Sequence, residues 1–264
     1  MDLEKKASNM KVIYVYSGKG GVGKSSVCTN LAYSFMKNGY RTGIFDADLS
    51  GPSIPSLVRK VSGQAPSYQG VVIKPGEYGG VKITSMGLLD SFVDHTYLSG
   101  KYLLGAIYQL VVGVDWDVDY LLIDLPPGTS DIHKHLFAQL PGDVLVVTTP
   151  QEVSYMDTRR SIEFMNRLNM NILGVVENMA YYRCTQCGSE EQIFVGDTNE
   201  VLCRPYSLDL LARFPISREF SKVSNEGMPF VLQHSEDEIS EKYSQLVHRI
   251  LQQYESDLLE GGIR

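Results

Sequence analysis

Residues 18–25 read Gly-Lys-Gly-Gly-Val-Gly-Lys-Ser, with Ser26 following. Upstream, Val12-Ile13-Tyr14-Val15-Tyr16 is an apolar, β-prone run of the kind that forms a buried strand. Downstream, Val27, Cys28, Leu31, Ala32, Phe35 and Met36 recur at helical spacing until Asn38-Gly39 stops them. Strand, glycine loop and helix are the context a phosphate-binding loop requires. Gly18, Gly20, Gly21 and Gly23 let backbone N–H groups, that of Val22 included, converge on phosphate oxygens, and the helix N-terminus adds its positive end. Lys24 is set to reach the β- and γ-phosphates, and the Ser25 hydroxyl, with Ser26 beside it, to hold Mg²⁺.

The glycines have a second reading. Gly18, Gly20 and Gly23 also satisfy G-x-G-x-x-G, and Asp46 falls near the spacing of a dinucleotide site's acidic residue. Gly23-Lys24-Ser25 favours the phosphate loop, because a cation and a hydroxyl opening the helix suit a triphosphate with Mg²⁺.

Working outward, strands alternate with helices. Thr42–Phe45 runs into Asp46-Ala47-Asp48, Tyr120–Ile123 into Asp124, Val144–Val147 into Thr148-Thr149-Pro150, and Ile172–Val176 into Glu177-Asn178. Leu210–Phe214 reads as a last strand closed by Pro215, and Val153–Leu168 as a helix of about four turns. Residues 59–70 read as a loop, Val71–Ile73 and Val81–Ile83 as a hairpin, and Leu98–Val112 as a helix weakened by Gly100 and Gly105. Ser235 and Glu238 suggest a capping box before a helix whose Ile239, Tyr243, Leu246, Val247, Ile250 and Tyr254 share one face. The fold class is α/β, a mostly parallel sheet with helices on both faces. No repeat or linker divides the chain, so one domain over 1–264 is expected, with 1–10 a flexible arm.

In such a sheet, ligands sit beyond the carboxyl ends of the strands, where the glycine loop, Asp46, Asp48 and Asp124 all fall. Asp124 after four apolar residues has the Walker-B arrangement, with its carboxylate toward Mg²⁺. Pro126-Pro127-Gly128-Thr129 suits a switch loop reporting on the γ-phosphate, and Asp131 reads equally as a helix cap. No arginine stands near these motifs to supply positive charge from the same chain.

Net charge is −7, against nonspecific nucleic-acid binding, and no apolar run approaches the ~20 residues of a membrane span. Four cysteines make no disulfide framework, so a cytoplasmic protein is expected. Cys184 and Cys187 form a C-x-x-C pair on the loop 180–200; two thiolates cannot complete a tetrahedral zinc or four-iron site, but a twofold dimer presents four. A dimer-bridging zinc and a redox dithiol remain alternatives. Cys28 reads as a core residue and Cys203 is ambiguous. His133 and His135, two positions apart, have no ligand spacing.

The segments GKGGVGKSS, DADLSGPSIP (46–55), LLIDLPPGTSD (121–131), TTPQEVSYMDTRRSI (148–162), GVVENM (174–179) and CTQCG (184–188) resemble the Mrp/ApbC family of ATP-binding iron–sulfur cluster carriers. That family lies within the MinD, ParA and nitrogenase iron-protein group of P-loop NTPases, of the deviant Walker A type. The likeness runs in register from about residue 10 to 230. It implies a homodimer that hydrolyses ATP slowly and carries a labile [4Fe–4S] cluster between subunits to recipient apoproteins. By the same resemblance Lys19 reaches the partner subunit's nucleotide, and Asp48 positions the attacking water. Asp46 supports the Mg²⁺ shell, Asn178 reads the adenine edge, and the backbone at Pro215-Ile216 flanks the base. The usual Ile-Pro-Leu-Asp reads Phe214-Pro215-Ile216-Ser217 here, losing a carboxylate. A MinD/ParA-like positioning switch with a structural zinc is the alternative. The acidic tail, 235–264, opposes membrane binding, with seven carboxylates against three basic residues.

Overall fold

The structure is a computed structural model describing residues 10–48, 51–69, 72–85, 88, 111 and 113–261. Of the arm expected over 1–10, all but Met10, which packs against the core, and nearly all of the expected helix Leu98–Val112 lie outside the described residues.

Strand β1 (Lys11–Tyr16) is central, and Val12 to Tyr16 are all buried. Helix α1 (Lys24–Lys37) follows the glycine loop, then β2 (Thr42–Asp46) and the short α2 (Ile54–Val58). Next come β3 (Gly63–Gln64), β4 (Ser67–Gln69), β5 (Val72–Lys74), β6 (Gly76–Tyr78) and β7 (Val81–Ser85). β8 (Tyr120–Asp124), α3 (Asp131–Gln139), β9 (Asp143–Thr148), α4 (Glu152–Arg167) and β10 (Ile172–Glu177) continue the alternation. The two-residue strands β11 (Tyr182–Arg183) and β12 (Glu190–Glu191) flank the C-x-x-C pair. A π-helical turn (Asn199–Cys203), α5 (Arg204–Tyr206), β13 (Leu210–Arg213), α6 (Arg218–Glu226), α7 (Phe230–Gln233) and α8 (Glu238–Gly261) complete the order.

Nine strands form one sheet in the order β13-β10-β9-β1-β8-β2-β7-β6-β3. Pairing is parallel from β13 to β7 and antiparallel at β6 and β3. β1 alternates its side chains between two cores. Ile13 and Val15 face α1, α2, α6, α7 and α8, whereas Val12, Tyr14 and Tyr16 face α3 and α4. Helices therefore cover both faces, as expected of a parallel sheet. The six apolar positions expected on one side of α8 are buried in the first core. At roughly 1.5–3 kcal/mol for each fully buried large side chain, that face holds α8 on the sheet.

The expected hairpin is corrected. β5 pairs with β4, within the stretch 59–70 expected to be loop, and β7 pairs with β6 and β2 instead. Gly79 and Gly80 both have positive φ (55° and 87°), the two-residue turn geometry that joins β6 to β7. Val81 and Ile83 are fully buried, so burial draws β7 into the central sheet. The expected capping box at α8 is also replaced. Asp237 Oδ1 accepts from the Ile239 N–H at 2.8 Å, while Ser235 lies in the preceding turn.

Candidate functional site

Register carries the loop and the carboxylates together. Val15 pairs with Asp124, and Asp124 pairs with Asp46, so β1, β8 and β2 deliver the glycine loop and two acids side by side. Gly23, the residue before α1, has φ 83°, and a Cβ there would run into the Asn178 side chain. Gly18 is needed for packing: a Cβ would lie 2.5 Å from the backbone of Asp157 in α4.

Lys24 is buried and donates to Asp124 Oδ1 at 2.6 Å. The other Asp124 oxygen is buried with no hydrogen-bond partner. Asp46 Oδ1 accepts from the Asp48 N–H (3.2 Å), and Oδ2 from the Ile54 N–H (3.2 Å) and Ser85 Oγ (3.1 Å). Burial, and then the charge of Asp124, push the Asp46 carboxyl up to about 7. Burial likewise raises Asp124, against the lowering by Lys24. Two adjoining buried carboxylates, one with an orphaned oxygen, fit a divalent cation as the missing countercharge, with Ser25 at hand to join it.

Beside them opens a cavity of about 470 Å³ lined by Lys19, Gly20, Gly21, Gly23, Lys24, Ser25, Ser26 and Asp48. Pro52, Ser53, Ser56 and Arg59 form another part of its wall, with Ser224 and Asn225. Arg59 corrects the expectation that no arginine of this chain stands near the motifs. Asn178 and Pro215 lie outside that wall. Asn178 Nδ2 donates to the Val22 carbonyl at 2.8 Å, bracing the loop from behind. Pro215 sits between Phe214, whose N–H reaches Glu177 O, and Ile216, whose N–H reaches Tyr181 O. Ser217, standing where the resembled pattern has a carboxylate, caps α6 by accepting from the Phe220 N–H at 3.1 Å.

The Pro-Pro-Gly-Thr segment is held by two residues that the sequence reading missed. Tyr16 donates to the Gly128 carbonyl at 2.8 Å. His133, fully buried, lies 3.0 Å from the Pro126 carbonyl through Nε2, and its Nδ1 accepts from the Ser130 N–H at 3.1 Å. Those partners require the neutral Nε2–H tautomer, and burial lowers the imidazole pKa in agreement. Ser130 with His133 thus caps α3, and Asp131 is not the cap.

Cys184 is half-buried and Cys187 exposed on a tight turn between β11 and β12. The Gly188 N–H bonds to Cys184 O (2.9 Å), and Cys187 Sγ lies 3.1 Å from Ser189 Oγ. Hydrogen bonds from Ser189 and then Cys184 lower the Cys187 thiol pKa. No cluster of three or more His, Cys, Asp or Glu suited to a metal occurs among the described residues. Cys28 and Cys203 are buried, and burial raises both thiols, Cys203 to about 11.

Fold and loop define a P-loop NTPase: a parallel α/β sheet with a glycine loop at its central strand and two acids on neighbouring strand ends. Over residues 8–251 the chain matches the family model described as "ParA: NUBPL iron-transfer P-loop NTPase", and it belongs to that family. It is 38% identical over 241 residues to an iron-sulfur cluster carrier protein of Haemophilus influenzae, covering 90% of this chain and 65% of that protein. It is also 38% identical to the cytosolic Fe-S cluster assembly factor CFD1 of Kluyveromyces lactis, covering 83% of this chain and 81% of that one. Among solved structures, a nucleotide-binding protein in complex with ADP from Archaeoglobus fulgidus superposes with TM-score 0.75 at 32% identity, covering 90% and 94% of the two chains. The cell division ATPase MinD of Pyrococcus furiosus shares the fold, with TM-score 0.65 at 20% identity over 92% and 98%.

Proposed function

We propose that this protein is an ATP-dependent carrier that holds a [4Fe–4S] cluster between two copies of the chain and hands it to recipient apoproteins. One observation carries the reading. A P-loop NTPase of an iron-transfer family presents two adjacent thiols on an exposed turn, with no third metal-binding group gathered near them among the described residues. A twofold pair of such turns supplies four thiolates, which is what the cluster needs as cargo. Exposed Val195, Ile193, Val153 and Met156 support a second copy as the cover, since Gly196 packs on Pro150 and Tyr155 and so brings that loop across the start of α4.

In this reading Gly18–Ser26 and Lys24 bind the phosphates, and Ser25, Asp46 and Asp124 hold Mg²⁺, which supplies charge neutralisation at the phosphates. Lys19 acts on the partner's nucleotide, Asp48 orients the attacking water, and Asn178 and Pro215 take the base side. Asn178 bonds the loop carbonyl of Val22 and follows Glu177, whose buried carboxylate holds Arg213 at 2.6 Å and Thr198. Thr198 ends the segment carrying Cys184 and Cys187, so nucleotide and cargo share one short connection. The alternative is a MinD/ParA-like positioning switch with a structural zinc; against it, the apolar face of α8 from Ile239 to Tyr254 packs into the core instead of facing outward. Among the described residues no helix is long and apolar enough to cross a membrane.

Anaerobic reconstitution with iron, sulfide and zinc analysis tests the reading. One four-iron cluster per two chains is expected, lost in Cys184→Ala with Mg·ATP binding kept and unaffected by Cys28→Ala. One cluster per chain, full retention in Cys184→Ala, or tight zinc without iron overturns it.

A further inference from the structure

We infer that Arg59 is a phosphate-binding residue of the nucleotide cavity, acting on the terminal phosphate from the wall formed by α2 and α6. The inference rests on the nucleotide reading of that cavity. Arg59 is the residue after α2, and it lines the cavity together with Lys19, Lys24 and Ser25. Its guanidinium donates to the carbonyl of Asn225, near the C-terminal end of α6, and Asn225 lines the same wall.

The placement is built rather than incidental. Gly227, the C-terminal cap of α6, has φ 81°, and a Cβ on it would collide with the Arg59 side chain, so the stem passes the cap where only glycine leaves room. The next residue anchors the crossing, since the Lys60 N–H donates to Gly227 O at 3.0 Å. At its other end α2 is tied to the acids, because the Ile54 N–H donates to Asp46 Oδ2. A short helix therefore spans from the Mg²⁺-side carboxylate to the arginine.

Charge makes the arrangement specific. Lys24 is already paired with Asp124 at 2.6 Å, whereas among the described residues Arg59 has a neutral carbonyl as its hydrogen-bond partner and no ion pair. A guanidinium exchanging one backbone carbonyl for a phosphate gains a charge-assisted, forked contact that Lys19 and Lys24 cannot make. A third phosphate extends the ligand's charge beyond the part cradled by the loop. Arg59 consequently discriminates ATP from ADP.

Titration calorimetry of the full chain with Mg·ATP and with Mg·ADP tests this, comparing wild type, Arg59→Met and Arg59→Lys. Methionine keeps an unbranched stem over Gly227, and thermal melts verify that each variant is folded. Arg59→Met is expected to lose about tenfold in ATP affinity and about twofold or less for ADP, with a shallower salt dependence. Arg59→Lys recovers part of the ATP loss. Equal losses for both nucleotides, or an unchanged ATP preference in Arg59→Met, overturn the assignment alone. Wild-type protein binding neither nucleotide overturns the nucleotide reading and the assignment with it.

Discussion

Lys24→Ala is expected to do more than abolish Mg·ATP binding. The sequence makes Lys24 a phosphate ligand; the structure also makes it the countercharge of a buried acid. Its Nζ lies 2.6 Å from Asp124 Oδ1, with side-chain exposures of 7% and 0%. Asp46 adjoins the pair in register. Removing one partner of a buried pair leaves the other uncompensated, which costs about 3–5 kcal/mol. That is a large share of the roughly 5–15 kcal/mol that holds a domain folded. The cost depends on pH with a definite sign. Without Lys24 the folded-state carboxylate pKa rises further above its unfolded value. The fold then prefers the protonated acid, and stability is lost as pH rises from about 4 toward that raised pKa, by about 1.4 kcal/mol per pH unit. Urea unfolding without nucleotide should therefore show wild type and Lys24→Ala close at pH 5 and several kcal/mol apart at pH 8. Adding Asp124→Asn to Lys24→Ala should recover most of the difference, because the amide removes the unpaired charge. A Lys24→Ala protein within about 1 kcal/mol of wild type at pH 8, with no growth of the gap from pH 5, would refute this account.

Two further outcomes concern turnover and protonation. Lys19→Ala and Asp48→Ala are each expected to bind Mg·ATP yet lose steady-state hydrolysis, and mixed dimers of the two should regain about half of one wild-type dimer's turnover, because one of their two sites is complete; full activity in Lys19→Ala homodimers contradicts action across the interface. Burial, and then the charge of Asp124, push the Asp46 carboxyl up to about 7, so Asp46 is expected to be partly protonated at neutral pH in the nucleotide-free protein. Mg²⁺ beside it favours the charged form, so Mg·ATP binding at pH 7 should release a proton, seen as a binding enthalpy that varies with buffer ionisation heat; an enthalpy independent of buffer contradicts it.

What the chain disclosed unaided was short-range. Strand, glycine loop and helix at 12–36 are contiguous, and the apolar period of α8 needs only neighbouring turns to be read. The acids that end β2 and β8 were legible because parallel strands end on one side of a sheet, so position along each strand locates its last residue. The C-x-x-C pair carried its own incompleteness, two ligands where four are needed. Tertiary structure alone decided what lies across from each of these. Asn178 meets Val22 across 156 residues and Arg59 meets Asn225 across 166, and no local pattern announces either contact. Nor could the run at 81–85 show which strand it joins: its β-branched pattern suits a hairpin and a central slot alike, and burial on both faces beside β2 made the choice. His133 looked idle for the same reason, since its partners at Pro126 and Ser130 are backbone groups, which every residue carries. Side-chain periodicity encodes which surface a segment buries; which surface meets it depends on how the whole sheet closes, and that is a property of the fold.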